Sequence, residues 1–223
     1  DVVFNYRRNR AAAQQVEQEA RKRGTRVESL KADLARIAEA KRLVAYTIER
    51  LGRLDILVAN AGIWNPKDTP IEKLTEREWD QTMRVNMKGV YRVTHFAVKH
   101  MISQRSGRII AISSTAGQRG EAFHADYAAS KGAIISFVKG LSTELAPHNI
   151  LVNCVAPGWV DTEMAKPVLR TKAGRKFVLA QIPLGRVASP EEIAGPLLFL
   201  ASDLATFLTG EILNVNGGAL LCG

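Results

Sequence analysis

Residues 108–131 read RIIAISSTAGQRGEAFHADYAASK, and this stretch joins the two patterns that decide the fold. The run 108–113 is short, apolar and β-branched, which is typical of a buried strand. Small residues follow at 113–117 (SSTAG), and a helical pattern begins at Asp126. A strand that leads through a short turn into a helix predicts one unit of a parallel sheet.

The same alternation recurs along the chain. Strands are predicted at 2–6, 26–30, 54–59, 108–113, 150–155 and 211–215. Amphipathic helices are predicted between them at 11–23, 37–51, 75–101, 126–146 and 190–201. Strands and helices in alternation predict an α/β fold, a doubly wound parallel sheet with helices on both faces in three layers. Such sheets bind ligands beyond the carboxyl ends of their strands.

Composition restricts the class of protein. The 223 residues are 46% hydrophobic, enough for one sizeable core, so a single domain over 1–223 is expected. The net charge is +9, but the basic residues are scattered and no nucleic-acid motif accompanies them, which disfavours nucleic acid as a partner. Cys154 and Cys222 are too few for a disulfide framework or a zinc site, so no metal is expected. A reducing cytoplasm fits, and no membrane span is predicted.

Small and polar residues follow three of the predicted strands. The triplet Asn60-Ala61-Gly62 follows LDILVA, and Pro157-Gly158 follows LVNCVA. Small residues let a ligand approach the backbone, and the serines at 113–114 add hydroxyl groups. The same residue types are also common in ordinary turns. Their recurrence at three strand ends favours a ligand site there.

Tyr127 and Lys131 stand four residues apart with only small side chains between them. On a helix this spacing places both side chains on one face. A nearby ammonium favours the phenolate, so the pair could make the phenol a proton donor and acceptor near neutral pH. The same spacing is also common for a half-buried tyrosine beside a solvated lysine.

An ordered set of motifs resembles the short-chain dehydrogenase/reductase family in its single-domain, Rossmann-like form. The motifs are NAG at 60–62, Asn86 in VNMKGVY, Ser114 thirteen residues before Tyr127, YAASK at 127–131 and PGWVDT at 157–162. The likeness runs from the first residue to the last. GRIIAISS at 107–114 and NVNGG at 214–218 look most like the 3-oxoacyl-[acyl-carrier-protein] reductases, enzymes of fatty acid biosynthesis.

This resemblance implies an NADP(H)-dependent oxidoreductase that interconverts a ketone and a secondary alcohol by hydride transfer. Tyr127 would exchange a proton with the substrate oxygen, and Ser114 would hydrogen-bond that oxygen. Lys131 would lower the pKa of Tyr127 and bind the ribose of the nicotinamide. Asn86 would fix a water that links Lys131 to solvent, and a packing role is the alternative for this helical asparagine.

The resemblance also assigns cofactor contacts. Family members that prefer NAD usually carry an acidic residue where this chain has Tyr6, followed here by Arg7. A guanidinium suits a phosphate, so NADPH is expected rather than NAD, with Arg7 as the main contact and Arg8 as a helper. Two solvated arginines are the alternative. Asp33 would bind the adenine amino group. The resemblance also gives Asn60, Ala61 and Gly62 as cofactor contacts, beside Tyr127 and Lys131. The segment with Pro157, Gly158, Val160 and Thr162 would cradle the nicotinamide.

The motifs leave the substrate open, because relatives act on sugars, steroids and small ketones as well as on carrier-bound acyl groups. The segment 163–183 matches a mobile lid, and its basic residues suit an acidic or carrier-bound substrate, or else a solvated helix. Arg105 matches a carrier-docking position, whereas His148 stands where a second arginine is expected. Trp64 and Trp159 are either pocket or packing residues.

The family's glycine-rich turn, T-G-x-x-x-G-x-G, and the first strand and helix around it are not among these residues. We therefore expect an incomplete sequence that lacks about 30 residues, or alternatively a truncated, non-catalytic member with a binding or assembly role.

The resemblance also implies a homotetramer, built on the helices of Asn86 and Tyr127 and on the C-terminal residues. Ser114, His124 and Asp126 lie close in sequence, but no G-x-S-x-G elbow is present, which disfavours a hydrolase.

Overall fold

The computed structural model describes residues 1–222, along which strands and helices alternate. The strands are β1 (Val2–Tyr6), β2 (Val27–Lys31), β3 (Ile56–Ala59), β4 (Gly107–Ile112), β5 (Ile150–Pro157) and β6 (Ile212–Val215). The helices are α1 (Arg10–Arg21), α2 (Ile37–Leu51), α3 (Glu76–Gln104), α4 (Thr115–Arg119), α5 (Ala125–Leu145), α6 (Lys166–Leu169), α7 (Lys172–Ala180) and α8 (Pro190–Ala201). The predicted α/β alternation is confirmed.

The predicted strands and long helices all form, with ends shifted by a few residues. One shift has a clear cause at the start of β3, which was predicted from 54 and begins at Ile56. The side-chain amide of Gln104 pairs with the backbone of Leu54, accepting from its N–H at 3.1 Å and donating to its carbonyl at 2.9 Å. This side chain satisfies the backbone groups that a neighbouring strand would otherwise pair.

The short helix α4 was not predicted, whereas α6 and α7 lie in the segment 163–183, for which a solvated helix was one of the two expectations. The helix α4 spans five residues, too few to show a helical period in the sequence. A side-chain cap starts it instead, because the Ser114 hydroxyl accepts a hydrogen bond from the Ala116 N–H at 3.2 Å. Thr171 caps α7 in the same way, accepting from the Gly174 N–H at 3.0 Å.

All the strand ladders are parallel, and hydrogen bonds divide the strands into two sheets. One sheet pairs β1 with β2, and the other has the order β3-β4-β5-β6. The helices α2 and α3 pack together and join the two parts. Just before α2, the Leu34 carbonyl accepts from the Arg92 guanidinium of α3 at 3.2 Å, and the Leu34 side chain lies next to Gly89.

The core lies on both faces of β4 and β5, because successive side chains of a strand point to opposite faces. On one face Ile109 packs with Met101 of α3 and Ile134 of α5. On the other face Ile110 packs with Ile193 of α8. Burying each such side chain contributes about 1.5–3 kcal/mol, and the result is the predicted three-layer arrangement.

The finished fold gathers the carboxyl ends of β3, β4 and β5 at one edge of the larger sheet. Within residues 1–222, no helix combines the length and the apolar character needed to cross a bilayer. The same residues hold no group of three or more His, Cys, Asp and Glu side chains placed to bind a metal ion.

Candidate active site

A cleft of about 1310 Å³ opens at the carboxyl ends of β3, β4 and β5. It brings together most of the residues that the sequence predicts for the site. The predicted residues that line it are Asn60, Ala61, Gly62, Ser114, Tyr127, Lys131, Pro157, Gly158, Val160 and Thr162. Trp64 and Trp159 line it too, so both are pocket residues as well as packing residues.

The end of β4 and the start of α5 are fixed against each other. The Ser113 hydroxyl donates to the Lys131 carbonyl at 2.8 Å. Gly117 in α4 lies so close to α5 that a Cβ atom on it would stand 2.5 Å from the Lys131 carbonyl carbon. The cap residue Ser114 and the helix that carries Tyr127 are therefore held in one rigid unit.

Lys131 is a buried cation, with 5% of its surface exposed. Its ammonium donates to the Ile112 carbonyl at 2.8 Å and lies 5.8 Å from the centroid of the Tyr127 ring. Burial lowers the pKa of Lys131 to about 8, because the charged form loses its solvation. An ammonium carries three N–H groups, so the Ile112 carbonyl leaves donors for a ligand.

Tyr127 is partly buried and faces the cleft. Burial raises its pKa above the ordinary value, while the nearby Ser114 hydroxyl acts in the opposite direction. The charge of Glu121 adds to the rise. The sequence-based expectation that Lys131 lowers this pKa is therefore wrong for the net shift, because the loss of solvation outweighs the other influences.

Asn86 lies fully buried behind the cleft and joins three segments. Its Oδ1 accepts from the Ile63 N–H at 2.8 Å, and its Nδ2 donates to the Ile63 carbonyl at 2.9 Å and to the Ser130 hydroxyl at 3.0 Å. Both N–H groups of the amide are thus used by the protein, which leaves one lone pair of Oδ1 for a water. Asn86 clamps the segment after β3 onto α5.

The residues predicted for the adenosine end lie outside this cleft, at the ends of β1 and β2. Tyr6 is the last residue of β1, and Arg7, which follows it, is partly exposed. Asp33 Oδ1 accepts from the Ala35 N–H at 3.0 Å, and the Asp33 N–H donates to the Glu39 carboxylate at 2.7 Å. Glu39 was missed by the sequence analysis, although an acidic residue in the first turn of α2 is a recognisable signal.

His124 and Asp126, two residues of the possible hydrolase triad, each pair with a different side chain. The Asp126 carboxylate accepts from the Thr82 hydroxyl at 2.5 Å. The His124 Nε2 lies 3.2 Å from Asp68 Oδ1 instead. The geometry agrees with the rejection of a hydrolase, since Asp126 is occupied by a side chain from α3.

Comparisons with known proteins place this chain in a family. Residues 1–219 match the family model described as "Enoyl-(Acyl carrier protein) reductase". The chain belongs to the short-chain dehydrogenase/reductase family. The protein is accordingly an oxidoreductase that acts on CH–OH or C=O groups with a nicotinamide cofactor.

Individual short-chain dehydrogenase/reductase relatives agree over most of the chain. The 3-oxoacyl-[acyl-carrier-protein] reductase FabG of Thermotoga maritima is 40% identical over 183 residues, which cover 82% of this chain and 73% of that protein. The 3-oxoacyl-[acyl-carrier-protein] reductase of Synechocystis sp. is 37% identical over 221 residues, covering 99% of this chain and 87% of that protein. The crystal structure of gox2181 superposes with a TM-score of 0.93 at 32% identity, covering 98% of this chain and 85% of that one. The predicted fold class is confirmed.

Proposed function

We propose that this protein reduces the 3-oxo group of carrier-bound acyl thioesters to a hydroxyl group, using NADPH. The observation that carries the proposal is the placement of two hydroxyl groups, from Ser114 and Tyr127, beside the buried ammonium of Lys131 in one cleft. Tyr127 delivers a proton to the carbonyl oxygen, and Ser114 donates a hydrogen bond that stabilises the charge developing there.

The described residues fit a nicotinamide nucleoside in this cleft. Lys131 offers N–H donors for ribose hydroxyls. A Cβ atom on Gly62 would lie 3.5 Å from the Lys131 Nζ, so the backbone at 60–62 borders the same space. The chain after β5, including Pro157 and Thr162, borders that space from the other side. A nicotinamide bound here would supply the hydride. The segment 60–62, Lys131 and the chain after β5 would hold and orient that nicotinamide.

The direction of the Tyr127 pKa supports catalysis of reduction. Because burial raises this pKa, the phenol keeps its proton at neutral pH and is ready to donate it. The ammonium of Lys131 is charged below pH of about 8, and it stabilises the phenolate that remains after the transfer. Oxidation of an alcohol requires the deprotonated phenol and is therefore favoured at higher pH.

The preference for NADPH rests on the residues that follow β1. Tyr6 stands where a carboxylate would repel a 2′-phosphate, and the partly exposed Arg7 follows directly. A guanidinium can make two parallel hydrogen bonds to a phosphate. Asp33 retains an unoccupied part of its carboxylate, beyond the bond to Ala35, for the adenine amino group.

The charge of the lid supports an acidic carrier as the partner. Four basic residues of the segment 163–183 are exposed around α7: Arg170, Lys172, Arg175 and Lys176. Exposed cations steer an acidic partner toward the cleft by long-range attraction. Arg105 is exposed as well. It is the residue that ends α3, and its backbone has the left-handed conformation.

A homotetramer is part of the proposal. Large apolar side chains are exposed on α8 and in the segment that follows it, with Leu198 at 70%, Leu204 at 82% and Phe207 at 102% of their full exposure. An apolar surface of this kind favours a contact with a second copy of the chain. Sedimentation that shows monomers alone would contradict the assembly.

Two thioesters test the reaction, because the matching family model is described by enoyl reduction while the relatives are named for 3-oxoacyl reduction. NADPH oxidation is followed with acetoacetyl and crotonyl thioesters of an acyl carrier protein. We expect turnover of the acetoacetyl thioester, since Ser114 and Tyr127 present O–H groups suited to a carbonyl oxygen. Preferred turnover of the crotonyl thioester would instead assign enoyl reduction.

The control pair changes one phenol at a time. Tyr127→Phe should lower kcat by about 10³, within the usual contribution of a general acid, and leave the affinity for NADPH within about twofold. Tyr91→Phe makes the same chemical change at an exposed residue of α3 and should keep wild-type turnover. Similar kcat values for both variants would refute the role of Tyr127.

A further inference from the structure

Three rings stand together along one wall of the cleft. The centroid of the Trp64 ring lies 5.2 Å from that of His124 and 5.8 Å from that of Trp159. The two indole planes meet at 87°, so Trp64 and Trp159 form a right-angled corner. Both indoles line the cleft and remain partly exposed. We refer to Trp64 and Trp159 as the aromatic corner.

The aromatic corner lines the same cleft as the residues proposed to react. Trp64 is two residues beyond Gly62, where a Cβ atom would be 3.5 Å from Lys131 Nζ. His124, which contacts Trp64, precedes Tyr127 by three residues at the start of α5. Because Tyr127, Trp64 and Trp159 line one cleft, a substrate whose carbonyl reaches Tyr127 can place its next substituent against these rings.

The packing behind the aromatic corner keeps both indoles in place. Trp159 packs on a small core formed by the segment 163–183, which includes Leu169 and Val178. Trp64 packs on His124, which is 8% exposed and whose Nε2 lies 3.2 Å from Asp68 Oδ1. Rings fixed before binding lose little conformational freedom when a ligand arrives.

We infer that the aromatic corner selects substrates that carry an uncharged, planar aromatic group next to the reacting carbonyl. A flat ring laid parallel to one indole is perpendicular to the other, because the two planes meet at 87°. It therefore stacks on one indole and meets the other edge to face, the two arrangements that aromatic pairs prefer. A flexible aliphatic chain covers similar area but loses rotamer freedom on binding.

The charges around the cleft favour an uncharged ring. Among the described residues that line it, the Lys and Arg side chains are those of Arg119 and Lys131. Arg119 pairs with Glu121 at 2.7 Å, and Lys131 is held by the Ile112 carbonyl at 2.8 Å. A carboxylate on the aromatic group would have to displace one of these contacts, so an aryl ketone suits the site better than an aryl carboxylate.

The test compares two 3-oxo esters that differ in one substituent, ethyl benzoylacetate with a phenyl group and ethyl acetoacetate with a methyl group. It rests on the proposed reduction with NADPH. In the wild-type protein kcat/KM should be about tenfold higher for the phenyl ester, a difference of about 1.4 kcal/mol. Trp64→Leu should lower the ratio of the two kcat/KM values about tenfold. Trp79→Phe, in α3 and outside the cleft, serves as the matched control and should keep the ratio.

An equal loss for both esters in Trp64→Leu, or a wild-type ratio near one, would overturn the inference. A binding measurement separates it from the proposed function. Fluorine NMR of para-fluoroacetophenone should show saturable broadening with the wild-type protein and with Trp79→Phe, and much weaker broadening with Trp64→Leu. If the wild-type protein reduces neither these esters nor the acetoacetyl thioester of the carrier protein but binds the ketone in this way, the proposed reduction fails and the aromatic corner stands. Equal broadening in all three proteins would refute the corner.

Discussion

The ammonium of Lys131 lies 5.8 Å from the centre of the Tyr127 ring, yet it donates its hydrogen bond to the Ile112 carbonyl at the end of β4. The two residues are one turn apart on α5, and the bond to β4 fixes the ammonium below the phenol. The charge therefore acts on the phenol through space, and it matters most once the phenol has lost its proton.

The buried charge of Lys131 predicts a specific dependence of stability on pH. Its pKa is about 8 in the folded protein and 10.5 as the ordinary value, so between these pH values the unfolded chain binds more protons. The free energy of unfolding should therefore rise with pH in this window, by up to about 3 kcal/mol at 1.36 kcal/mol per pKa unit. Lys131→Met lacks this contribution.

Denaturant unfolding of the wild-type protein and of Lys131→Met, measured from pH 7 to pH 10, tests this prediction. The difference between the two should change with pH in favour of the wild-type protein above pH of about 8. Other titrating groups cancel in the difference. A constant difference across the range would mean that Lys131 titrates as a solvated lysine. The variant should also lose turnover.

The clamp made by Asn86 predicts a large loss of stability when it is removed. Asn86→Ala leaves the partly buried Ile63 N–H and carbonyl without this partner, while the Ser130 hydroxyl keeps its bond to the Tyr127 carbonyl at 2.7 Å. Each of the two unsatisfied groups costs about 1–3 kcal/mol, so a total loss of about 2 kcal/mol or more is expected. Chemical denaturation measures it.

Thr94→Val is the matched control on the same helix. The Thr94 hydroxyl is buried and has no hydrogen-bond partner among the described residues. Replacing it with a methyl group removes an unpaired polar atom at nearly constant volume, so stability should stay equal or increase by about 1 kcal/mol. Similar losses in Asn86→Ala and Thr94→Val would argue against the clamp.

The position of Arg7 after β1 leads us to expect a preference for NADPH over NADH. Arg7→Ala should raise the Kd for NADPH about tenfold, because charged hydrogen bonds contribute about 1.5–3 kcal/mol, and should leave the Kd for NADH within about twofold. Arg10→Ala, at the exposed start of α1, removes the same charge and should change neither value. Parallel weakening of both cofactors in Arg7→Ala would contradict a contact with the 2′-phosphate.

The sequence predicts the order of strands and helices because each of those elements carries its own local pattern. The run 150–155 is apolar and β-branched, and it becomes β5, buried on both faces. The division into two hydrogen-bonded sheets has no local signal, since pairing depends on which strands meet in space. The short helix α4 escapes prediction for a different reason, because a single cap at Ser114 starts it.

The site is predictable where its residues follow strand ends or share a helical face. Ser114, Tyr127 and Lys131 meet in one cleft as their spacing suggests. The partners of Asn86 were not foreseen, because Ser130 is 44 residues away in sequence. The direction of the Tyr127 pKa was wrong because burial is set by tertiary packing, which a four-residue spacing does not reveal.

The close contact between Gly117 and α5 leads us to expect that the distance between α4 and α5 controls kcat. A Cβ atom there would lie 2.5 Å from the Lys131 carbonyl carbon and 2.8 Å from the Gly132 nitrogen, and backbone atoms cannot rotate away. Alanine suits the helical backbone, so the strain of Gly117→Ala is purely spatial. The added methyl group should push α4 away from α5 and separate Ser114 from Tyr127. We therefore expect Gly117→Ala to lower kcat at least about tenfold and to cost about 1–3 kcal/mol of stability.

Gly140→Ala provides the comparison within α5, because a Cβ atom at Gly140 would meet no heavy atom within 4 Å. That variant should gain about 0.5–1 kcal/mol from the higher helix propensity of alanine and keep its kcat. Kinetics and denaturant unfolding of the two variants separate stability from positioning. If Gly117→Ala loses stability but keeps kcat, the contact between α4 and α5 supports the fold without setting the distance from Ser114 to Tyr127.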